Sequence, residues 1–234
     1  PINEMISQKY ADLRFKSIST AKATSSTDVN HGNIEFNYNE EEETTHYSVV
    51  DKWGNAVSVT TTVNGWYGNG IVVDGAGFLL NNEMDDFSSK PGVPNKYGLI
   101  GNAANAIEPG KRMLSSMTPT IVEDSNGDLL LVLGSPGGST IITTVAQIIV
   151  NVIDYDMGIE DAVESPRFHH QWLPDAIQFE SRGFSNETLN ALEKIGHSHT
   201  FRGAIGESNC IRVSKNGFII GSGDSRRGGS AVAY

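Results

Sequence analysis

The sequence predicts a layered α+β fold. Short segments of alternating β-branched and polar residues recur from His46 onward, turn signals rich in Gly, Asn and Asp separate them, and the longer helical patterns are grouped after Ser139. Strands that follow strands and helices that follow helices favour stacked layers over a doubly wound parallel sheet. With 234 residues and 38% hydrophobic content, the chain can bury a normal core as one large domain or two small ones.

Residues 1 to about 14 place Ile2, Met5, Ile6 and Leu13 at broadly helical spacing, which predicts a short amphipathic helix in need of a packing partner. From Lys16 to Glu43 the chain is polar and ends in four glutamates, Glu40 to Glu43. Such a composition buries too little apolar area to order itself, so residues 1–43 read as a tail and linker and residues 44–234 as the main domain.

From Thr44 the pattern changes. His46 to Val50 and Ala56 to Val63 alternate as two strands of a hairpin, joined by Asp51-Lys52-Trp53-Gly54-Asn55. Further strands are predicted at Gly70 to Val73, Gly77 to Leu80, Thr118 to Val122 and Leu129 to Leu133, forming a mostly antiparallel sheet. Ser139 or Thr140 can cap a helix running through Ile153, Gly158 to Val163 suits a short helix, and Ser185 can cap one from Asn186 to Ile195. Strands at Asn209 to Val213 and Phe218 to Ile220 complete the pattern.

Charge and composition exclude several functions. With 28 acidic residues against 17 basic ones, the net charge of -11 offers no basic stripe for a nucleic acid. No apolar run reaches the roughly 20 residues that span a bilayer, and Pro1-Ile2-Asn3-Glu4 lacks the charged and apolar regions of a signal peptide. Cys210 stands alone, which excludes an intrachain disulfide and suits a small core residue. His169-His170 is the one pair suggestive of a metal, but adjacent side chains diverge and no HExxH or Cys-rich set accompanies it. No metal or cofactor is expected.

The chemistry concentrates at the end of the linker, where the acidic run abuts Thr44-Thr45-His46-Tyr47-Ser48. A chain cut there gains a terminal threonine. Its α-amino group, with a pKa of about 7.7 to 8, is a usable base beside the hydroxyl nucleophile, whereas the amide nitrogen of an intact chain is not. Position alone favours the plainer reading of Thr44 as an ordinary β-branched strand residue. Gly137-Gly138 either lets backbone N–H groups approach a ligand or forms a plain turn; no Lys-Ser/Thr follows it as in a phosphate loop. Asp85-Asp86 fits a binding site for an ammonium or a solvated loop, and Ser115-Ser116 a ligand contact or a turn.

Six blocks decide among these readings. Thr44-Thr45-His46-Tyr47-Ser48-Val49-Val50-Asp51, Leu79 to Phe87 (LLNNEMDDF), Lys90 to Asn95 (KPGVPN), Leu114 to Thr120 (LSSMTPT), Gly134 to Ser139 (GSPGGS) and Ser165 to Pro174 (SPRFHHQWLP) occur in this order. Together they resemble the small subunit of gamma-glutamyltranspeptidases from Thr44 to Tyr234, with residues 1–43 similar to the tail of the large subunit. The resemblance implies a four-layer αββα Ntn-hydrolase sandwich, of which this chain is the C-terminal portion. It further implies autocatalytic cleavage between Glu43 and Thr44, and gamma-glutamyl transfer or hydrolysis on glutathione and related compounds, with an amino acid, a peptide or water as acceptor.

Carried onto this sequence, the resemblance makes Thr44 the nucleophile and Thr62 the residue whose hydroxyl bonds it, with Gly137 and Gly138 as the oxyanion hole. Asn64, Glu83 and Asp86 would share the substrate ammonium, Ser115 and Ser116 would meet its α-carboxylate, and Tyr97 would reach Asn64 from a lid spanning Lys90 to Gly101. A large subunit of the same precursor is the implied partner, supplying an arginine that clamps the α-carboxylate, and a periplasmic or secreted location is implied. Gly223-Asp224-Ser225-Arg226 stands where the family often reads Ser-Asp-Pro-Arg, which puts the local turn in question. The alternatives are a related acylase acting on cephalosporins or poly-gamma-glutamate, and an unprocessed, noncatalytic binding module.

Overall fold

The structure is a computed structural model that describes residues 6–16, 18–29, 43–88, 90–93 and 101–233. The expected hairpin forms, with its first strand beginning earlier than His46: β1 (Glu43–Val50) pairs antiparallel with β2 (Ala56–Asn64), and Asp51 closes the turn by accepting the Trp53 and Asn55 amides. Alternation decides its two faces. Thr44, His46 and Ser48 point inward, while Tyr47 and Val49, with Val57 on β2, are exposed on the outer face.

Behind the inward face lies a four-stranded antiparallel sheet in the order β3 (Thr120–Glu123), β4 (Leu129–Leu133), β8 (Asn209–Val213), β9 (Ile219–Gly223). Hydrogen bonds tie hairpin to sheet: Ser48 Oγ donates to the Asn209 carbonyl at 2.8 Å, Ser58 Oγ to the Leu133 carbonyl at 2.9 Å, and Asn209 Nδ2 to the His46 carbonyl at 3.1 Å. The other face of this sheet carries α2 (Thr140–Ile153) and α3 (Ile159–Glu164). Ile141, Val145, Ile148 and Val152 recur at helical spacing and pack on Leu131, Leu133 and Cys210. Burial pushes the Cys210 thiol up to about 12, in keeping with a core role.

A second, smaller unit is a three-stranded sheet, β5 (Phe168–His169), β6 (Ile177–Glu180) and β7 (His199–Arg202), covered by α4 (Asn186–Lys194). Ser185 caps α4 by accepting the Thr188 amide, as its sequence position suggests. None of these three strands was expected. The parallel pairing of β6 with β7 also corrects the picture of one mostly antiparallel sheet.

Other expectations need correction. The segments 70–73 and 77–80 form only a single bridge between Val72 and Leu79, because Gly70, Gly75 and Gly77 adopt positive φ and curl the chain out of a ladder. The first helix, α1 (Gln8–Phe15), has no buried face among its described side chains, so its apolar residues do not make it amphipathic. The segment upstream of position 30 is not wholly free: Ser26 is buried, its amide and hydroxyl donate to Asp175 at 2.8 and 2.7 Å, and Trp172 Nε1 donates to its carbonyl at 2.6 Å.

A buried ion cluster joins α3, β6 and the C-terminal segment. Arg167, 1% exposed, donates to Asp224 at 2.7 Å and to the carbonyls of Val163 and Ile205. Arg226 grips Glu180 with two bonds of 2.6 and 2.8 Å and also reaches Asp224 at 3.1 Å. Burial raises the Asp224 carboxyl, but the adjacent Arg167 and the amides of Ser208 and Arg226 outweigh it and hold the group below its ordinary value. Ser225, which stands where the resemblance implies proline, is accommodated: its N–H and hydroxyl donate to Glu164 at 2.8 and 2.6 Å, and the N–H bond is one a proline could not make.

Candidate active site

The pairing of β1 and β2 is irregular at one place. Thr44 faces Thr62, but Glu43 faces Asn64, so Val63 is an extra residue on β2 and the Glu43–Thr44 bond lies at a bulge. Asn64 completes the kink with φ 70° and is buried; its Nδ2 donates to the Asn82 carbonyl at 3.1 Å, and Asn82 Oδ1 accepts the Gly65 amide at 2.9 Å. At the bulge Thr44 Oγ1 donates to Thr62 Oγ1 at 3.2 Å, and Thr62 Oγ1 also accepts the Asn64 amide at 2.8 Å. By accepting both, Thr62 Oγ1 fixes the direction of the Thr44 O–H and ties it to the kink at Asn64.

His46, two residues on, fixes what lies behind. Its ring is wedged between Thr60, at 2.8 Å from Nδ1, and Ser48, at 3.0 Å from Nε2. Burial lowers its pKa to about 4, so it is neutral at pH 7. The ring also fills the space where a Cβ on Gly134 would project, which explains the glycine directly after β4. From there Ser135-Pro136-Gly137-Gly138 leads into α2. Gly137 (φ 137°) and Gly138 (φ 47°) both occupy the region that favours glycine.

The carbonyls of this turn are engaged: that of Gly137 accepts the Thr140 amide and hydroxyl, and that of Gly138 accepts Ser116 Oγ at 2.8 Å. The N-terminal end of the 14-residue α2 therefore stands at the turn, where its dipole favours negative charge.

One cavity gathers these parts. Thr44, Thr62, Asn64, Asp86, Ser115, Ser116 and Gly138 all line it, together with Phe87, Asn105 and Met117. Glu83 belongs to the same 3₁₀ turn as Asp86 (Glu83–Asp86), and Gly137 is buried directly behind Gly138; neither forms the wall itself. Val93 and Gly101, near the two ends of the expected lid, line the cavity, while Tyr97 lies outside the described residues.

Sequence reading missed Asn105. Its Nδ2 donates to the Asp86 carbonyl at 2.7 Å and its Oδ1 accepts the Leu114 amide at 3.0 Å, so it braces the acidic turn against the segment that carries Ser115 and Ser116. An asparagine among small residues gives no sign of this. His169 and His170 diverge as expected, the first bonding Thr143 and Gln171 and the second Asp175. Among the described residues no group of three or more His, Cys, Asp or Glu could hold a metal ion, and no helix is long and apolar enough to cross a membrane.

The sequence model of the gamma-glutamyltranspeptidase family matches residues 1–234. The chain belongs to the gamma-glutamyltranspeptidase family. It is 50% identical over 226 residues to the glutathione hydrolase proenzyme of Escherichia coli (strain K12), a match that covers 97% of this chain and 38% of that protein. With the Pseudomonas aeruginosa glutathione hydrolase proenzyme it shares 47% identity over 192 residues, covering 81% of this chain and 34% of that one. The chain thus spans between a third and two fifths of the length of these relatives.

Among solved structures, a mutant of Helicobacter pylori gamma-glutamyltranspeptidase superposes with TM-score 0.75 at 56% identity, covering 78% of this chain and all of that one. A cephalosporin acylase from Bacillus halodurans, at 24% identity, covers this whole chain and 40% of its own with TM-score 0.78. That likeness is one of fold. The gamma-glutamyltranspeptidase neighbours make the fold that of the Ntn hydrolases, α+β with stacked sheets. Within its αββα order, the described residues contribute the helices α2 and α3, the four-stranded sheet and the β1–β2 hairpin.

Proposed function

We propose that this chain is the catalytic part of a gamma-glutamyltransferase, or glutathione hydrolase, made active by cleavage between Glu43 and Thr44. The observation that carries the reading is the Thr44 hydroxyl, held by Thr62 at a strand bulge in the same cavity as Gly138 and Asp86. In the first stage Thr44 Oγ attacks the Glu43 carbonyl, the acyl group shifts from nitrogen to oxygen, and water hydrolyses the ester to a Glu43 carboxylate and a free Thr44 amine. The family relationship supports this, as does a scissile bond sited where the ladder register breaks.

In turnover the freed amine accepts the Thr44 hydroxyl proton as oxygen attacks the γ-carbonyl of the donor. The amides of Gly137 and Gly138 stabilise the oxyanion at the end of α2, and the ammonium returns its proton to the leaving amine as the C–N bond breaks. Water or an amino acid or peptide amine then attacks the γ-glutamyl ester and regenerates Thr44. Asp86, with Glu83 and Asn64, is assigned the substrate ammonium, and Ser115 and Ser116 its α-carboxylate. Tyr97 closes this pocket in the same reading.

The remainder of the precursor is the assigned partner. The exposed Tyr47, Val49 and Val57 on the outer hairpin face are where an apolar layer would seat. A periplasmic or secreted location goes with this assignment, and cell fractionation tests it. The chemistry is tested with the protein expressed together with its upstream region and assayed on a γ-glutamyl anilide. T44A is expected to stay uncleaved and inactive; normal anilide release by T44A would overturn the mechanism.

A further inference from the structure

The geometry points to Ser135 and Gly206 as positioning residues that set the conformation of the Gly137–Gly138 turn from behind, an inference that rests on the acyl-transfer reading above. Ser135 has no exposed surface, yet its hydroxyl is fully used. It donates to the Pro136 carbonyl at 2.6 Å and accepts the Glu207 amide at 2.9 Å. The Pro136 carbonyl belongs to the peptide group whose N–H is that of Gly137. Holding that oxygen therefore fixes the plane in which the Gly137 N–H points.

The other half of the clamp is the segment from Ile205 to Ser208. Its amides and carbonyl are anchored to the buried ion cluster: the Ile205 amide donates to Glu180 at 2.9 Å, its carbonyl accepts Arg167 at 2.7 Å, and the Ser208 amide donates to Asp224 at 2.9 Å. Between these anchors Gly206 adopts φ 67° and rests directly on the serine. A Cβ there would stand 2.6 Å from Ser135 Oγ and 2.8 Å from Thr144 Oγ1, closer than any ordinary contact. The glycine lets a rigid, ion-pinned segment press close to the first residue of the turn, and the serine passes its position on to Pro136. Thr140 and Ser116 hold the next two carbonyls, so three successive peptide units, from Pro136 to Gly138, are each braced by a side-chain hydroxyl.

Neither residue lines the cavity, so neither touches substrate in this assignment. Their effect is on oxyanion stabilisation, where donors act only if aimed at the developing charge. S135A and G206A, made in the precursor with its upstream region, are compared with wild type and T44A. Complete removal of an oxyanion donor costs about 100- to 1000-fold in kcat. Misaiming one is expected to lower kcat by roughly 10- to 100-fold, with KM for the γ-glutamyl anilide within about twofold. Affinity for a tetrahedral γ-phosphonate mimic should fall in the same proportion as kcat, and inhibition by glutamate should not change. A merely structural role would move KM and glutamate affinity together with kcat. An S135A enzyme with wild-type kcat and phosphonate affinity overturns the inference, as does one that cannot be recovered folded, since the serine is then a folding residue. If T44A itself turns over, the underlying mechanism fails, whatever S135A does; if T44A is inactive and S135A is normal, only this inference fails.

Discussion

Thr62 Oγ1 sits 3.2 Å from the hydroxyl of Thr44 while accepting the amide of Asn64, so one side chain ties the proposed nucleophile to the kink that ends β2. Removing that hydroxyl leaves Thr44 Oγ without its partner. T62A is expected to slow both self-cleavage and anilide turnover by roughly tenfold or more, about the worth of one well-placed hydrogen bond, whereas T62S retains most activity. Cleavage is followed on gels and turnover by absorbance; equal rates for T62A and wild type would exclude the role.

Asp86 is assigned the ammonium of the donor, and a charge-assisted bond is worth about 1.5 to 3 kcal/mol. D86N should raise KM for γ-glutamyl donors roughly 10- to 100-fold. N105A, which removes the brace on the Asp86 carbonyl, is expected to give a smaller change in the same direction. Steady-state kinetics on the two variants measure this ordering, and a D86N enzyme with unchanged KM contradicts the assignment.

His46 gives the fold an acid-sensitive joint. Its pKa is about 4 in the folded chain against 6.5 when unfolded, so between these values the unfolded state binds a proton that the folded state refuses. Its contribution is complete above pH 6.5 and is lost as the pH falls towards 4, at a cost on the order of 3 kcal/mol. Urea unfolding at pH 7 and pH 4.5, for wild type and H46Q, isolates the effect. The wild type should lose more stability than H46Q over this interval, and parallel losses would refute the link.

The Arg167–Asp224 pair is 2.7 Å long with both side chains almost wholly out of water. D224A strands the Arg167 guanidinium and frees the Ser208 amide, so a loss of about 3 to 5 kcal/mol in stability is expected. Chemical denaturation midpoints test it. A loss below about 1 kcal/mol, typical of an exposed pair, would show the cluster to be solvated.

The hold on Ser26 depends chiefly on Asp175 and Trp172. D175A should speed hydrogen exchange of the Ser26 amide and expose the bond after Lys22 to trypsin, while exchange in α2 stays as in wild type. Unchanged protection around Ser26 would count against the clasp.

How much of this was legible beforehand depends on where the information lies. The β1–β2 hairpin and α2 follow from local periodicity, and both were readable within a few residues. The strands β5, β6 and β7 were not, because Phe168–His169 is only two residues long and the parallel pairing of Ile177 with His199 depends on a partner 22 positions away. Short motifs named Thr44, Asp86, Ser116 and Gly138, and the fold brings these to one cavity. Asn105, Ser135 and Gly206 were invisible because their importance is a matter of what they touch. Asp224 and Arg226 drew notice only as members of a tetrapeptide whose other two residues depart from its motif, although they anchor the C-terminal segment.

New chain ends are ordinarily the loosest part of a protein, free to fray because they are held from one side only. The Glu43–Thr44 bond lies within a strand, and on its downstream side every residue from Thr44 to Val50 has a partner on β2, with the His46 carbonyl and the Ser48 hydroxyl both bonded to Asn209 of the sheet beneath. Under the proposed cleavage, severing that bond creates a terminus whose downstream side is already embedded in a finished lattice. On that proposal the liberated amine inherits a fixed address, set by strand pairing that precedes the cut.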